Sequence, residues 1–334
     1  MALTQWRQLH GDFFQGTRVL VTGGAGFIGS HLTEALIDLG ADVSVLDDLS
    51  GGSIDNFDTF KARAATQLNF VQGSILDVDL LAKLTANCPF VFHQAALGSV
   101  PRSVEQPRLF HQVNTDGTLN VLEAARQAGV RRVMFAASSS AYGDSPTLPK
   151  IESMPVLPKS PYAASKAAGE ALLRAYANSY ELDTAALRYF NIFGPRQNAN
   201  SAYAAVIAAF AKSLFAGEAP LIFGDGEQSR DFTFVDNAVH ANLLAARCPN
   251  PIGGEVLNVA CAARITVNEL ATMMAAMMGH ADLAPRHEPE RAGDVKHSLA
   301  DLARVTATLG YQPIVSFEDG LKATVQWYQS VLAG

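Results

Sequence analysis

Residues 17–47, TRVLVTGGAGFIGSHLTEALIDLGADVSVLD, decide how this chain folds. Thr17 to Val21 reads as a strand, GGAGFIG turns it into a helix near Phe27, and Gly40 ends that helix before a second strand, Ala41 to Leu46. Strand, glycine turn, helix, strand is the first half of a dinucleotide-binding unit. Three glycines alone would say little, but between a strand and a helix each has a mechanical reason. Gly23 permits the tight turn, Gly26 lets backbone approach a pyrophosphate, and Gly29 lets helix meet sheet. The helix start, with Phe27 and Ile28, offers free N–H groups to that phosphate.

Outward from this stretch, strand candidates recur at Leu68 to Val71, Phe90 to His93, Arg132 to Ala136 and Ala185 to Tyr189. Helical patterns at Asp79 to Ala86, Val113 to Ala128 and Ala163 to Tyr180 separate most of them. The alternation predicts an α/β fold, a Rossmann-type doubly wound parallel sheet with helices on both faces. Beyond Phe190 the rhythm breaks into a loop, a helix over Ala202 to Phe215 and the glycine turns of GDGEQSRDFTF. A short strand entering a helix (Phe234 to Ala246), a strand (Glu255 to Val259) and helices Val267 to Met278, Leu299 to Leu309 and Phe317 to Tyr328 follow. This divides the chain into a nucleotide-binding domain, 1–190 with 235–254 returning to it, and a smaller mixed α/β substrate domain, 191–234 and 255–330. The methionines at 273, 274, 277 and 278 read as helix packing.

The 334 residues are 49% apolar and 17% charged, the composition of a compact domain pair and not of a disordered chain. A net charge of −7 without a basic block argues against nucleic-acid binding. No stretch reaches the length of a membrane span, and the first 16 residues lack a signal-type apolar core. Cys88, Cys248 and Cys261 are scattered, which fits a reducing, cytoplasmic compartment, and neither they nor the eight histidines make a metal motif. The N-terminal MALTQWRQLHGDFFQG reads as a cap or an arm, and Trp6, Leu9, Phe13 and Phe14 favour the cap.

Two clusters carry chemistry. Asp47 ends the second strand, where a carboxylate accepts the hydroxyls of an adenosine ribose and repels a 2′-phosphate, so NAD is favoured over NADP. In PYAASKAAGE, Tyr162 and Lys166 stand four apart on one helix face. A tyrosine is a poor base at neutral pH, but a nearby ammonium and a positive nicotinamide both favour its phenolate. A serine at an upstream strand end, in the run AASSSAYG (136–143), can hold the substrate oxygen. Alone, a Tyr-Lys pair at this spacing is an ordinary surface pair; behind a nucleotide turn it reads as catalytic.

TGGAGFIG, Asp47, HQAAL (93–97), Asn114, SSSAYG, YAASK and YFNIFGP together resemble the extended short-chain dehydrogenase/reductase family, and within it the bacterial nucleotide-sugar epimerases. The resemblance runs from Thr17 over nearly the whole chain and includes the N-terminal extension. It implies that Ser138, Tyr162 and Lys166 are catalytic, and that Ser74, Ile75, Ala95, Asn114 and Tyr189 join the glycines and Asp47 around NAD. The family often has Asp where Ser74 stands, so adenine recognition is expected to be looser. Relatives that eliminate water or carbon dioxide carry carboxylates at the positions of Ser139 and Ser140; hydroxyls there leave oxidation and re-reduction.

The resemblance further implies a UDP-sugar substrate held by Gly98, Ser99 and Ser103, by Ser138 to Ser140, and by Asn191, Arg230, Arg291 and Asp294. Each arginine read alone would be a solvated surface residue. Ser298 stands where a large residue in related enzymes excludes N-acetyl sugars, so UDP-GlcNAc and UDP-GalNAc are the expected pair, with uronic acid forms and UDP-Glc/UDP-Gal as further candidates. The alternatives are a decarboxylase or 4,6-dehydratase of the same family and a silent nucleotide-binding regulator; a homodimer is implied by the family.

Overall fold

The computed structural model describes residues 3–64, 66–198, 206–290 and 296–333. Seven strands form one parallel sheet: β1 (Arg18–Thr22), β2 (Asp42–Asp47), β3 (Leu68–Gln72), β4 (Phe90–His93), β5 (Arg132–Ser138), β6 (Asp183–Tyr189) and β7 (Glu255–Val259). Their order across the sheet is β7-β6-β5-β4-β1-β2-β3, so the chain reverses direction between β1 and β4 and opens a crevice at the strand ends there.

Alternation of side chains explains why these runs are strands. On β5, Val133, Phe135 and Ala137 enter the core on one face with Leu20 and Val91, while Met134 and Ala136 enter the other with Val19, Val21 and Phe92. Both faces are covered, which is why the strands read as nearly continuous apolar runs. Helix α1 (Trp6–His10), helix α2 (Phe27–Asp38) and Val235–Arg247 lie over the face of Val19 and Val21. The N-terminal segment is a cap in which Trp6 and Phe14 are buried, whereas Leu9 and Phe13 stay largely exposed.

Two sequence boundaries move. Strand β7 pairs with β6 in the main sheet, so the return to the first domain extends past residue 254 to Val259. The helix expected from Leu299 begins only at Ala303, because Leu299 and Asp301 give their backbone groups to Lys150. The segment expected to be helical from Val113 starts with a π turn, Gln112–Asp116, before the α-helix Gly117–Gln127. Residues 199–205, including the expected start of the helix observed at Val206–Phe215, lie outside the described residues.

A second core joins Phe210, Phe232, Phe234, Leu270, Met274, Phe317 and Tyr328 above the sheet's C-terminal edge. Of the four methionines, Met274 is fully buried there, Met273 and Met278 pack partly, and Met277 is exposed. Buried Arg132 ties the sheet to the returning helix: its guanidinium pairs with Asp183 and donates to the carbonyls of Ala245, Ala246, Cys248 and Asn250. Those acceptors are the helix's orphan C-terminal carbonyls and the turn after them.

Candidate active site

A cleft of about 900 Å³ follows the strand ends at the reversal point and reaches the second core. One end is built by the glycine turn. Gly23 has φ +70°, and a Cβ there would stand 2.5 Å from the Ala95 nitrogen; a Cβ on Gly29 would stand 2.0 Å from the Gly23 carbonyl oxygen. Gly26 caps α2 with no side-chain bond and no acid in the first turn. The first-turn N–H groups of α2 thus have no intrahelical acceptor, and Gly26, Phe27, Ile28 and Gly29 line the cleft. This is an anion cradle, and a pyrophosphate fits it.

Asp47 lines the same end. Its Oδ2 accepts from Ala25 N (2.9 Å) and its Oδ1 from Leu49 N (2.8 Å), which leaves lone pairs on both oxygens for ribose hydroxyls. Burial raises its pKa, and backbone hydrogen bonds from Leu49, Ala25 and Gly26 oppose that shift. Gly51 and Gly52, not singled out from the sequence, fold over this end; a Cβ on Gly52 would lie 2.7 Å from the Ala25 backbone. Ile75, Ala95 and Tyr189 line the cleft as expected from the resemblance. Tyr189, Gln94 and Asn242 close a polar ring: Tyr189 Oη donates to Gln94 Oε1, and Asn242 Nδ2 donates to Tyr189 Oη at 2.6 Å.

Four expected contacts stand behind the wall. Ser74 accepts from Leu76 N, and neighbouring Asp77 caps the helix α3 (Val78–Thr85). Buried Asn114 bonds both backbone groups of Leu97 and donates to Ser165, so it shapes the strand-end loop from behind. Ser99 caps the helix Val100–Glu105, and Ser103 donates to the Val100 carbonyl, while Gly98 does face the cleft. His93 is buried between two hydroxyls. Thr118 spends its proton on the Asn114 carbonyl, so His93 Nε2–H donates to Thr118 and unprotonated Nδ1 accepts from Thr22. Burial and the charge of Lys166 push its pKa down to about 3, so the ring is neutral.

The reactive end is carried by the strand end Ser138 and the helix Pro161–Tyr180. Ser160 caps that helix by accepting from Ala163 N, with Pro161 at its first position, which places Tyr162 and Lys166 in its opening turns. Both face the cleft. Ser138 Oγ accepts from Ser140 Oγ at 2.8 Å and from Ser140 N at 3.2 Å, so its own proton is free to donate forward. Burial raises the pKa of Tyr162, and a hydrogen bond donated by Ser138 opposes this. The expected lowering by Lys166 is absent in the protein alone, since Lys166 Nζ donates to the Ala136 carbonyl at 2.7 Å. Burial also pulls the Lys166 pKa to about 7, countered by Glu170. Glu170 is held in a bidentate pair with buried Arg188, both contacts 2.7 Å, and Arg188 lies 4.5 Å from the Tyr142 ring centre. That pair braces the helix Pro161–Tyr180 against β6 and the serine turn.

At the far end, Asn191 Nδ2 donates to the Asp231 carbonyl and to Ser298 Oγ, each at 3.1 Å. Arg230 donates to the carbonyls of Ser229 and Lys296. Asn191, Arg230 and Ser298 line the cleft, as do Ser139 and Ser140; Arg291 and Asp294 lie outside the described residues. Gln197 also lines this end, missed in the sequence, and its Oε1 is buried without a partner among the described residues.

Residues 19–260 match the model of the NAD dependent epimerase/dehydratase family. A UDP-glucose 4-epimerase of Mycolicibacterium smegmatis is 42% identical over 94% of this chain and 99% of its own. A solved UDP-N-acetylglucosamine 4-epimerase of Methanobrevibacter ruminantium M1, in complex with UDP-N-acetylmuramic acid, is 41% identical with a TM-score of 0.89, covering 95% of this chain and 99% of its own. A dTDP-glucose 4,6-dehydratase of Streptomyces venezuelae with NAD bound is 34% identical with a TM-score of 0.86, over 94% and 97%. The chain belongs to the NAD dependent epimerase/dehydratase family. It is an NAD-dependent enzyme, an isomerase of the epimerase type.

Proposed function

We propose that the protein is a UDP-sugar 4-epimerase that interconverts UDP-GlcNAc and UDP-GalNAc. The observation that carries the reading is a reactive end lined with hydroxyls: Ser138, Ser139, Ser140 and Tyr162 face the cleft. The acids among its described lining, Asp47 and Asp48, stand at the ribose end. Elimination or decarboxylation calls for a carboxylate beside the sugar, and none of the described residues supplies one there.

NAD, which Gly23, Gly26, Gly29 and Asp47 would hold, would supply the hydride acceptor and donor for the sugar's carbon 4. Tyr162 takes the proton of the 4-hydroxyl as that hydride leaves. Ser138 donates to the same oxygen, its proton set free by the two bonds from Ser140. Lys166, four residues after Tyr162, would hold the nicotinamide ribose and favour the phenolate once its nitrogen is recruited from Ala136. The 4-keto sugar would turn its other face to the nicotinamide site, so that hydride returns to the opposite face of carbon 4 and inverts it while Tyr162 returns the proton to the 4-oxygen. Asn191 and Arg230, with Arg291 and Asp294, would hold the UDP portion.

Incubation with UDP-Glc, UDP-GlcNAc and the uronic acid form of UDP-GlcNAc, followed by NMR of the products, tests the reading. The expected products have unchanged mass and an inverted carbon 4; loss of water or carbon dioxide would overturn it. Ser298→Tyr fills the far end, and it should lower kcat/KM for UDP-GlcNAc about 10–200-fold relative to UDP-Glc, the range a steric pocket commands. Equal loss on both sugars would remove Ser298 as the gate.

Leu119 and Tyr180 stay exposed on the helices Gly117–Gln127 and Pro161–Tyr180, and these faces support a homodimer, checked by sedimentation at twice the chain mass. No described helix is long and apolar enough to cross a membrane. The three free cysteines suit a cytoplasmic site of action, which cell fractionation checks.

A further inference from the structure

Lys150 is a cation in the cleft that the reaction above does not use. Its main chain is fixed on both sides: its N–H donates to the Leu299 carbonyl (2.7 Å), and its carbonyl accepts from Asp301 N and Asn258 Nδ2, each at 2.9 Å. The residue is 2% exposed and lines the cleft beside the serine turn and Ser298. Its ammonium donates to the Ser145 carbonyl, and no carboxylate among the described residues forms an ion pair with it. Asp144, the acid that acts on it electrostatically, pairs instead with Lys159.

An ammonium has three donors, and one is spent on Ser145. A buried cation without a counter-ion is costly to maintain, and a ligand anion removes that cost. Burial lowers the pKa of Lys150, which an arriving carboxylate would reverse. The diphosphate has its own candidates in Arg230 and Asn191, whereas Lys150 lines the same cleft as Ser138, Ser139 and Ser140.

We propose that Lys150 is a specificity-determining residue that selects, among UDP-linked N-acetylhexosamines, a sugar bearing a carboxylate. The proposal rests on the 4-epimerase reading above and narrows its substrate class. Neutral sugars would be turned over with Lys150 unpaired, and acidic ones with a charge-assisted hydrogen bond.

The test compares wild type, Lys150→Gln and Lys150→Arg, each saturated with NAD, on UDP-GlcNAc and its 6-carboxylate analogue. Glutamine keeps a donor for the Ser145 carbonyl and removes only the charge; thermal melts check that each variant folds. The ratio of kcat/KM for acidic over neutral sugar should fall about tenfold or more in Lys150→Gln and be largely kept in Lys150→Arg, as expected for a charge-assisted bond. Equal loss on both sugars, which a loop staple or a diphosphate contact would produce, overturns the proposal, as does an unchanged ratio. Should wild type turn over neither sugar, the 4-epimerase reading falls. Titration calorimetry of the same two ligands then decides Lys150, with the same ratio in affinity expected and its constancy counting against it.

Discussion

Tyr162→Phe is expected to lower turnover about 10²–10⁴-fold, the range that a positioned acid–base group contributes, and to leave UDP-sugar affinity close to wild type. In this reading the phenol is the group that takes and returns the 4-hydroxyl proton, with Lys166 at the nicotinamide ribose. Ser138 cannot replace it, because an ordinary hydroxyl is far too weak an acid and its lone pairs already accept from Ser140. The phenylalanine keeps the ring and its packing on the helix Pro161–Tyr180, so folding and NAD content should persist. Single-turnover reduction of bound NAD, followed by absorbance near the nicotinamide band, separates this chemical defect from a binding defect. Wild-type reduction rates in the variant would remove Tyr162 from the mechanism.

Gly29→Ala should empty the enzyme of NAD and destabilise it. The added Cβ would stand 2.0 Å from the Gly23 carbonyl oxygen and 2.8 Å from the Gly24 Cα, both rigid backbone atoms. Helix α2 must then shift away from the turn, moving the N–H groups that form the anion cradle. Overpacking of this kind costs about 1–3 kcal/mol, occasionally more, which in a chain of this size lowers the melting temperature by roughly 2–4 °C. Gly51→Ala is the control: it lines the same end, but a Cβ there meets nothing within 4 Å. The ratio of absorbance at 260 and 280 nm and a thermal melt read both effects. A Gly29→Ala protein that melts like wild type and retains NAD would contradict the close turn described above.

Much of this site is legible because its geometry is local. Tyr162 and Lys166 reach one face through helical spacing, and Asp47 reaches the ribose end because the second strand of such a unit ends there. A serine at the end of an apolar strand is legible too, while the choice of Ser138 within the run comes from the resemblance. Ser74 and Asn114 are different: both stand at positions the resemblance assigns to the cofactor, yet their polar atoms are engaged by Leu76, Leu97 and Ser165. Which partner a short polar side chain takes depends on backbone groups brought in by other segments, and spacing carries no record of that.

Lys150 and Arg188 show the same limit at longer range. Lys150 looks like one lysine in a proline-rich loop until the segment Leu299–Asp301 clamps its backbone at the wall of the cleft. Arg188 reads as a charged interruption in an apolar strand until Glu170, eighteen residues earlier, neutralises it inside the core. Strand β7 was placed with the second domain because its neighbours in the chain belong there, while its hydrogen bonds run to β6, some 70 residues away.

The sequence by itself determined the dinucleotide unit and the parallel sheet, since both rest on local periodicity and on a turn within one strand–helix step, and it put Tyr162 and Lys166 one helical turn apart. Only the tertiary structure decided that Ser140 donates to Ser138, that Lys150 lines the cleft and that β7 completes the sheet. Those outcomes depend on contacts between distant segments, whose hydrogen bonds and buried charges are satisfied only after the crossovers have brought them together.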